Sequence, residues 1–331
     1  MTTGRDAPGG GRLLVLGWHF VEGTWRFPSP PGSGLPRLER QLRAVAKIAT
    51  IVPLPGALRA LREGRPLPPR AVAITFDDGY RDNLTLAVPL LSRLGIPATM
   101  FLVPGFLSGE VSHWSERLAW AFARARARSV DFQGTRFDLT TTAARVKAIA
   151  ETERDLVPHD RLQRSVMIDL LIDQLEPVGS FNSDALFLDW DGARQLVRTG
   201  VTIGSHSMYH TVLAAERAEA QQADLAESRR QLQRELALPI DVFAYPFGKR
   251  EHYNAATTAA AKAAGYAHAV TTRALWNTSS TSPYEIRRRM LSPQQGARGL
   301  ATVMARGLAL VARERLTAQR AEMCAANGEA G

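Results

Sequence analysis

Residues 71–103 read AVAITFDDGYRDNLTLAVPLLSRLGIPATMFLV. An apolar run, Ala71–Phe76, has the length and β-branched content of a buried strand and ends on two adjacent carboxylates, Asp77 and Asp78, followed by Gly79. The spacing after them predicts a helix over Leu84–Leu94, a break at Gly95–Pro97 and a second strand over Ala98–Val103. That is a βαβ unit, which brings its two strands parallel in one sheet. It also leaves the acidic pair at the C-terminal end of the first strand. Adjacent carboxylates repel, so a metal, a shared proton or solvent must offset them.

The same alternation extends outward. Upstream, Leu13–Phe20 reads as a strand, Gly23–Pro36 as a Gly/Pro/Ser-rich loop and Leu38–Ile48 as a helix; a short strand over Ile51–Leu54 and a helix over Pro55–Gly64 follow. Residues 107–186 change character and read as a mainly helical insertion with a hairpin near Val130–Leu139. Alternation then resumes: helix Asp191–Thr199, strand Val201–Ile203, helix Arg217–Leu236, strand Asp241–Tyr245, helix Tyr253–Ala264 and strand Ala267–Thr271. Ile286–Leu291 reads as the last strand, and residues 293–331 as a basic helical extension. The expected class is α/β, with a parallel sheet closed or curved into a barrel inside a ring of helices. Active sites of such folds lie at the C-terminal strand ends, where Asp77 and Asp78 fall.

Composition sets bounds. The 331 residues carry 41 Lys and Arg against 32 Asp and Glu, a net charge of +9, with one cysteine. A lone cysteine allows no intrachain disulfide and suits a reducing compartment. No stretch reaches the ~20 apolar residues of a membrane span. The short apolar run near the N-terminus ends at Trp18, His19 and Glu22 and reads as a strand rather than a secretory leader, so the expected location is cytoplasmic. The arginines, including Arg124–Arg128 and Arg287–Arg289, read as solvated surface. Attraction to an anionic membrane face or a phosphorylated substrate is the sharper alternative. No nucleic-acid motif accompanies the charge, so no nucleic-acid partner is expected.

The second informative stretch is VTIGSHSMYHTVL, residues 201–213. A helical turn over Ser205–His210 would put His206 and His210 on one face. Two imidazoles and one carboxylate hold a divalent ion while leaving positions open for water and substrate. One aspartate would then ligate the ion and the other would take a proton from water; spacing does not say which.

TFDDG (Thr75–Gly79), HSMYH (His206–His210) and FAYPFG (Phe243–Gly248) together resemble the motifs of the polysaccharide deacetylases, carbohydrate esterase family 4 with its NodB homology domain. The resemblance spans residues 13–292 and implies a distorted (β/α) barrel that hydrolyses N-acetyl groups of amino sugars with metal-bound water. It implies Asp77 as general base and Asp78, His206 and His210 as ligands to zinc, or to Co2+, Ni2+, Mn2+ or Fe2+. It places the Phe247 N–H in the oxyanion hole, and Tyr80, Trp190, Tyr245 and Pro246 around the substrate. Two departures matter. Many members carry an arginine where this chain has Ala244, and many supply a general acid from a C-terminal histidine that EIRRRMLS lacks. In the branch with YP(Y/F)G, permuted motifs put that histidine at the end of an N-terminal strand, which here is His19. Trp114 reads either as a sugar-stacking residue or as core. Two other readings stand beside the deacetylase: an amidase for a non-sugar amide, and a silent glycan- or membrane-binding module. The basic C-terminus reads as packed against the barrel, with peripheral contact to an anionic membrane as the alternative.

Overall fold

The computed structural model describes residues 11–293. Its strands are β1 (Leu13–Trp18), β2 (Thr50–Ile51), β3 (Ala71–Phe76), β4 (Ala98–Leu102), β5 (Ser129–Phe132), β6 (Thr135–Asp138), β7 (Thr202–Ser205), β8 (Val242–Ala244), β9 (His268–Val270) and β10 (Arg289–Met290). The helices are α1 (Gly34–Ile48), α2 (Leu54–Arg62), α3 (Val88–Leu94), α4 (Pro104–Leu107) and α5 (Trp114–Arg124), then α6 (Thr142–Leu156), α7 (Arg161–Leu175), α8 (Trp190–Arg198), α9 (Ala218–Leu236) and α10 (Ala255–Ala263). The expected basic C-terminal helix lies outside the described residues. Among the described residues no helix is long and apolar enough to cross a membrane.

Eight strands form one sheet in the order β10-β1-β3-β4-β7-β8-β9, with β2 also paired to β3. Every pairing in it is parallel. The segment leading into β10 also bridges β9, Ile286 parallel to Val270, so the sheet curls back on itself. This is the curved α/β barrel expected from the alternation.

Strand alternation sorts the core into two shells. Leu13, Val15, Ala71, Ala73, Phe101, Val242, Ala244 and Val270 form the inner cluster, which Leu54, Leu58 and Leu61 of α2 join. Leu14, Leu16, Val72, Ile74, Met100 and Ile203 belong to the outer cluster, packed with α1, α3, α8, α9 and α10. The insertion has its own cluster, with Leu118 and Phe122 of α5, Phe137 of β6, Leu156 of α6 and Leu171 of α7. Its hairpin, β5–β6, falls where the sequence indicated.

Two local expectations change. The stretch before α3 is a π turn over Asn83–Ala87, in which the Val88 N–H reaches Asn83 O. Pro89 has no N–H to give to the preceding turn, so the backbone there widens. The triple arginine is not all surface: Arg288 is 0% exposed.

Candidate active site

Register delivers the site. Trp18 pairs with Phe76, so β1 and β3 end together and the Asp77 N–H donates to Trp18 O at 2.9 Å. Leu102 pairs with Ser205, and the His206 N–H donates to Leu102 O at 2.8 Å. His19, Asp77, Asp78 and His206 therefore leave neighbouring strands at one rim of the barrel.

Thr75 and Asp77 continue the inward face of β3, and both meet Arg288. Arg288 Nη1 donates to Asp77 Oδ1 at 2.6 Å and Nη2 to Oδ2 at 2.7 Å, a two-point pair in which both residues are buried. Nη1 also reaches Thr75 Oγ1 at 3.1 Å, and the guanidinium lies 5.4 Å from the Phe101 ring centre. The position where an arginine was missing, Ala244, faces the same interior. The guanidinium enters instead from the residue just before β10, the strand beside β1. The signal for it was strand alternation: Ile286 and Arg288 face inward, whereas Arg289 is exposed and Arg287 half-buried.

Asp78 sits in the left-handed region, φ +70°. Its Oδ1 is 3.3 Å from His206 Nε2 and 3.2 Å from His210 Nε2. That oxygen is buried and receives no hydrogen bond. Burial alone would raise the Asp78 pKa; attraction to His210 and contact with both imidazoles hold it well below the ordinary carboxylate range. The two histidines do converge, with ring centres 5.0 Å apart, but not on a helical turn. Ser207 and His210 have φ +67° and +50°, so the stretch is a bent loop. Ser207 Oγ accepts the His210 N–H at 2.9 Å, and buried Asp224 of α9 accepts the Met208 N–H at 2.7 Å. Burial pushes the Asp224 pKa up to about 7.

The donor set fits a divalent cation. His206 Nδ1 lies 2.7 Å from Ala244 O, a carbonyl that can only accept, so the neutral ring carries its proton on Nδ1. Its Nε2 lone pair then faces Asp78, the arrangement seen in metal-binding histidines. A fourth group, His113, escaped the sequence reading. Asp78, His113 and His210 each place a ligand atom within 4.8 Å of one another. Yet His113 caps α5, its Nδ1 accepting the Glu116 N–H at 3.4 Å, so its Nε2 carries the proton. That Nε2 is 3.9 Å from Asp78 Oδ2, and burial pushes the His113 pKa down to about 3. His206 thus presents a free lone pair, whereas His113 presents an N–H donor.

His19 is half-buried just past β1. Asn83 Nδ2 holds the His19 carbonyl at 2.9 Å. Phe247, at φ +61°, packs its ring 5.0 Å from that of His210, and among the described residues its N–H has no acceptor. Trp114 stands 6.1 Å from Phe247, ring to ring. The remaining predicted substrate residues are more enclosed. Tyr80 is 3% exposed, gives its hydroxyl to Glu116 Oε1 at 3.0 Å and packs on Phe20 and Phe187. Tyr245 is fully buried, stacked on Tyr253 and bonded to Tyr284 O, and Pro246 is buried beside it. Trp190 is half-buried, opens α8 and packs against the outer core. Asp82 does not cap the helix after it; its Oδ2 accepts the N–H groups of Val21 and Glu22, both at 2.8 Å.

Solved structures share this architecture. The Streptococcus pyogenes deacetylase PplD in complex with acetate superposes with a TM-score of 0.58 at 16% identity, covering 89% of this chain and 99% of that one. IcaB from Ammonifex degensii gives 0.57 at 19%, covering 89% and 97%. A de-N-acetylase from Aggregatibacter actinomycetemcomitans gives 0.55 at 16%, covering 88% and 99%. Among curated proteins, the putative polysaccharide deacetylase YxkH of Bacillus subtilis (strain 168) is 22% identical over 244 residues, 74% of this chain; the chain spans 59% of that relative's length. The polysaccharide deacetylase family model matches residues 64–269, from the loop before β3 through the loop carrying His206 and His210 to β9. The chain belongs to the polysaccharide deacetylase family.

Proposed function

We propose that this protein hydrolyses the N-acetyl group of an amino sugar in a glycan, glycolipid or glycan precursor, in a reaction that needs a divalent cation. The observation that carries this reading is the division of the acidic pair. Asp78 shares one oxygen with two imidazoles, while Asp77 has both its oxygens bound by Arg288. Two imidazoles and a carboxylate suit zinc. When bound by Asp78, His206 and His210, such an ion supplies Lewis-acid chemistry to the carbonyl and to water.

The chain's own residues do the rest. Asp77 Oδ2 faces the histidines, 3.8 Å from His206 Nε2, and takes a proton from the attacking water. The Phe247 N–H donates to the oxyanion formed as the C–O bond is made. His19 gives a proton to the leaving nitrogen as the C–N bond breaks, because an amine departs poorly as an anion. Acetate and a free amino sugar result, with one water consumed. The similar S. pyogenes structure, which holds acetate, supports this product.

The test is acetate release from N-acetylated chitooligosaccharides and an N-acetylamino-sugar panel by zinc-loaded protein. Turnover that a chelator abolishes and zinc restores is expected. No acetate from any sugar, with metal content confirmed, would overturn the reading.

A further inference from the structure

Beside the loop that carries His206 and His210 lies a cavity of about 220 Å³, lined chiefly by Trp114 at the start of α5, Arg161 and Arg164 at the start of α7, and Tyr209. Tyr209 stands between His206 and His210 in sequence, and Trp114 follows His113. The Trp114 ring faces Phe247, whose ring faces His210. The cavity and the acetamide site therefore share a wall. It is smaller than the pockets of about 300–1,000 Å³ that enclose a whole ligand, and suits one substituent of a larger substrate.

Its lining is rich in unspent donors. Arg164 is 2% exposed, and among the described residues no carboxylate forms an ion pair with it, although the charges of Glu216 and Asp160 act on it from farther off; one N–H goes to His159 O at 3.2 Å. Its guanidinium lies 5.2 Å from the Trp114 ring centre. The Trp114 Nε1 is itself buried and, among the described residues, meets no acceptor. Arg161 lies over the Tyr209 ring at 4.5 Å and has no carboxylate partner for its guanidinium among the described residues. Arg117, also in the lining, is paired with Asp169 at 2.7 Å. The neighbouring acids are engaged elsewhere. Glu216 accepts the Arg161 backbone N–H and the Thr211 hydroxyl, and Asp160 caps α7. Glu110, the one carboxylate of the lining, is exposed, and its charge helps raise the pKa of the Tyr209 hydroxyl, after burial. A buried guanidinium with no carboxylate in contact still bears a desolvation cost, which lowers the Arg164 pKa to about 10 despite the charges of Glu216 and Asp160, and an incoming oxyanion offsets that cost. Arginine's fork also matches phosphate and carboxylate oxygens.

We infer that this cavity is a second substrate subsite, where Arg164, Arg161 and the Trp114 N–H bind a phosphate or carboxylate carried by the amino-sugar substrate. The inference rests on the deacetylase reading for its substrate but not for its binding test. Either source of the oxyanion fits, a phosphate ester of the sugar or a neighbouring uronic acid.

The experiment is a calorimetric titration of the full-length, zinc-loaded protein with N-acetylglucosamine, its 1-phosphate and an N-acetylated oligosaccharide containing a uronic acid. Charge-assisted hydrogen bonds predict at least one anionic sugar binding about tenfold tighter than the neutral one. Inorganic phosphate should compete when the phosphate ester is the preferred form. Arg161→Ala and Arg164→Met should each shrink the anionic-to-neutral ratio towards one. Trp114→Phe, which keeps the ring and removes the N–H, should shrink it in part and stands in if Arg164→Met does not fold. Equal affinities in the wild type, or a ratio unchanged in both Arg161→Ala and Trp114→Phe, would overturn the subsite. Arginine-dependent binding without acetate release from any sugar would keep the subsite and remove the deacetylase reading.

Discussion

Asp77 has both oxygens tied to Arg288, and neither side chain reaches solvent. Removing one partner of such a pair strands a buried charge, at a cost of about 3–5 kcal/mol. Arg288→Met should therefore destabilise the protein by that order in urea unfolding. Adding Asp77→Asn should recover much of the loss, because it removes the stranded charge. Equal destabilisation of the single and double variants would show that the pair is not the cause. The two aspartates should also separate by metal content. Asp77→Asn should lose turnover yet keep zinc, whereas Asp78→Asn should lose both, read by metal analysis of the purified variants. Asp77, Asp78, His206 and His210 were legible because each motif packs its chemistry into a few consecutive residues. Arg288 was not, since it acts on an aspartate 211 positions away and sits between two arginines that do face outward. His113 had no motif either; only packing of α5 against the rim brings it to Asp78.

At the scale of elements, the rim is fixed by short loops that the strand pattern alone does not describe. The sequence offered a helical turn for residues 205–210, because four-residue spacing usually means one helix face. The chain reaches the same convergence of imidazoles through two left-handed residues, a conformation no periodicity announces. Past β1, the loop carrying His19 is clamped by its neighbours. Asp82 holds the N–H groups of Val21 and Glu22, while the Glu22 carboxylate holds those of Gly34 and Leu35 at the start of α1. Burial pushes the Asp82 pKa up to about 6, despite the N–H groups that favour its charged form. The unfolded chain releases that proton near pH ~3.9. Between these values the folded state binds the extra proton, so this contribution is full below about pH 4 and lost as pH rises through about 6. Half-burial trims its size to about 1–2 kcal/mol. Asp82→Asn keeps an oxygen acceptor and should flatten the fall in melting temperature across that window. An identical slope in the variant would assign the effect to another group.

At the scale of the whole molecule, the helical insertion is a second cohesive body mounted on the barrel. Its cluster shares no member with the inner or outer barrel core, and the change to helical character along residues 107–186 was legible in the sequence. What ties it down was not, because the ties are single polar side chains. Glu116 of α5 accepts the Tyr80 hydroxyl at 3.0 Å and the Arg26 N–H at 3.1 Å. Glu153 of α6 pairs with the Arg26 guanidinium at 2.6 Å and accepts the Ser115 hydroxyl at 2.7 Å. These bonds join the loop after β1 and the turn after β3 to the two helices. They matter for the site because α5 begins at His113 and Trp114, which reach the rim only if α5 stays seated. Glu153→Ala removes the acceptor for Arg26 and Ser115, a loss of about 1–3 kcal/mol for charge-assisted bonds in a half-buried place. The insertion's own cluster is untouched, so the loss should appear as local release rather than global unfolding. Hydrogen exchange should accelerate in α5 and α6 while β1, β3 and β4 keep their protection, and KM should rise more than kcat falls. Acceleration spread evenly over barrel and insertion would show that the two move as one unit, and that the polar ties are not what seats α5.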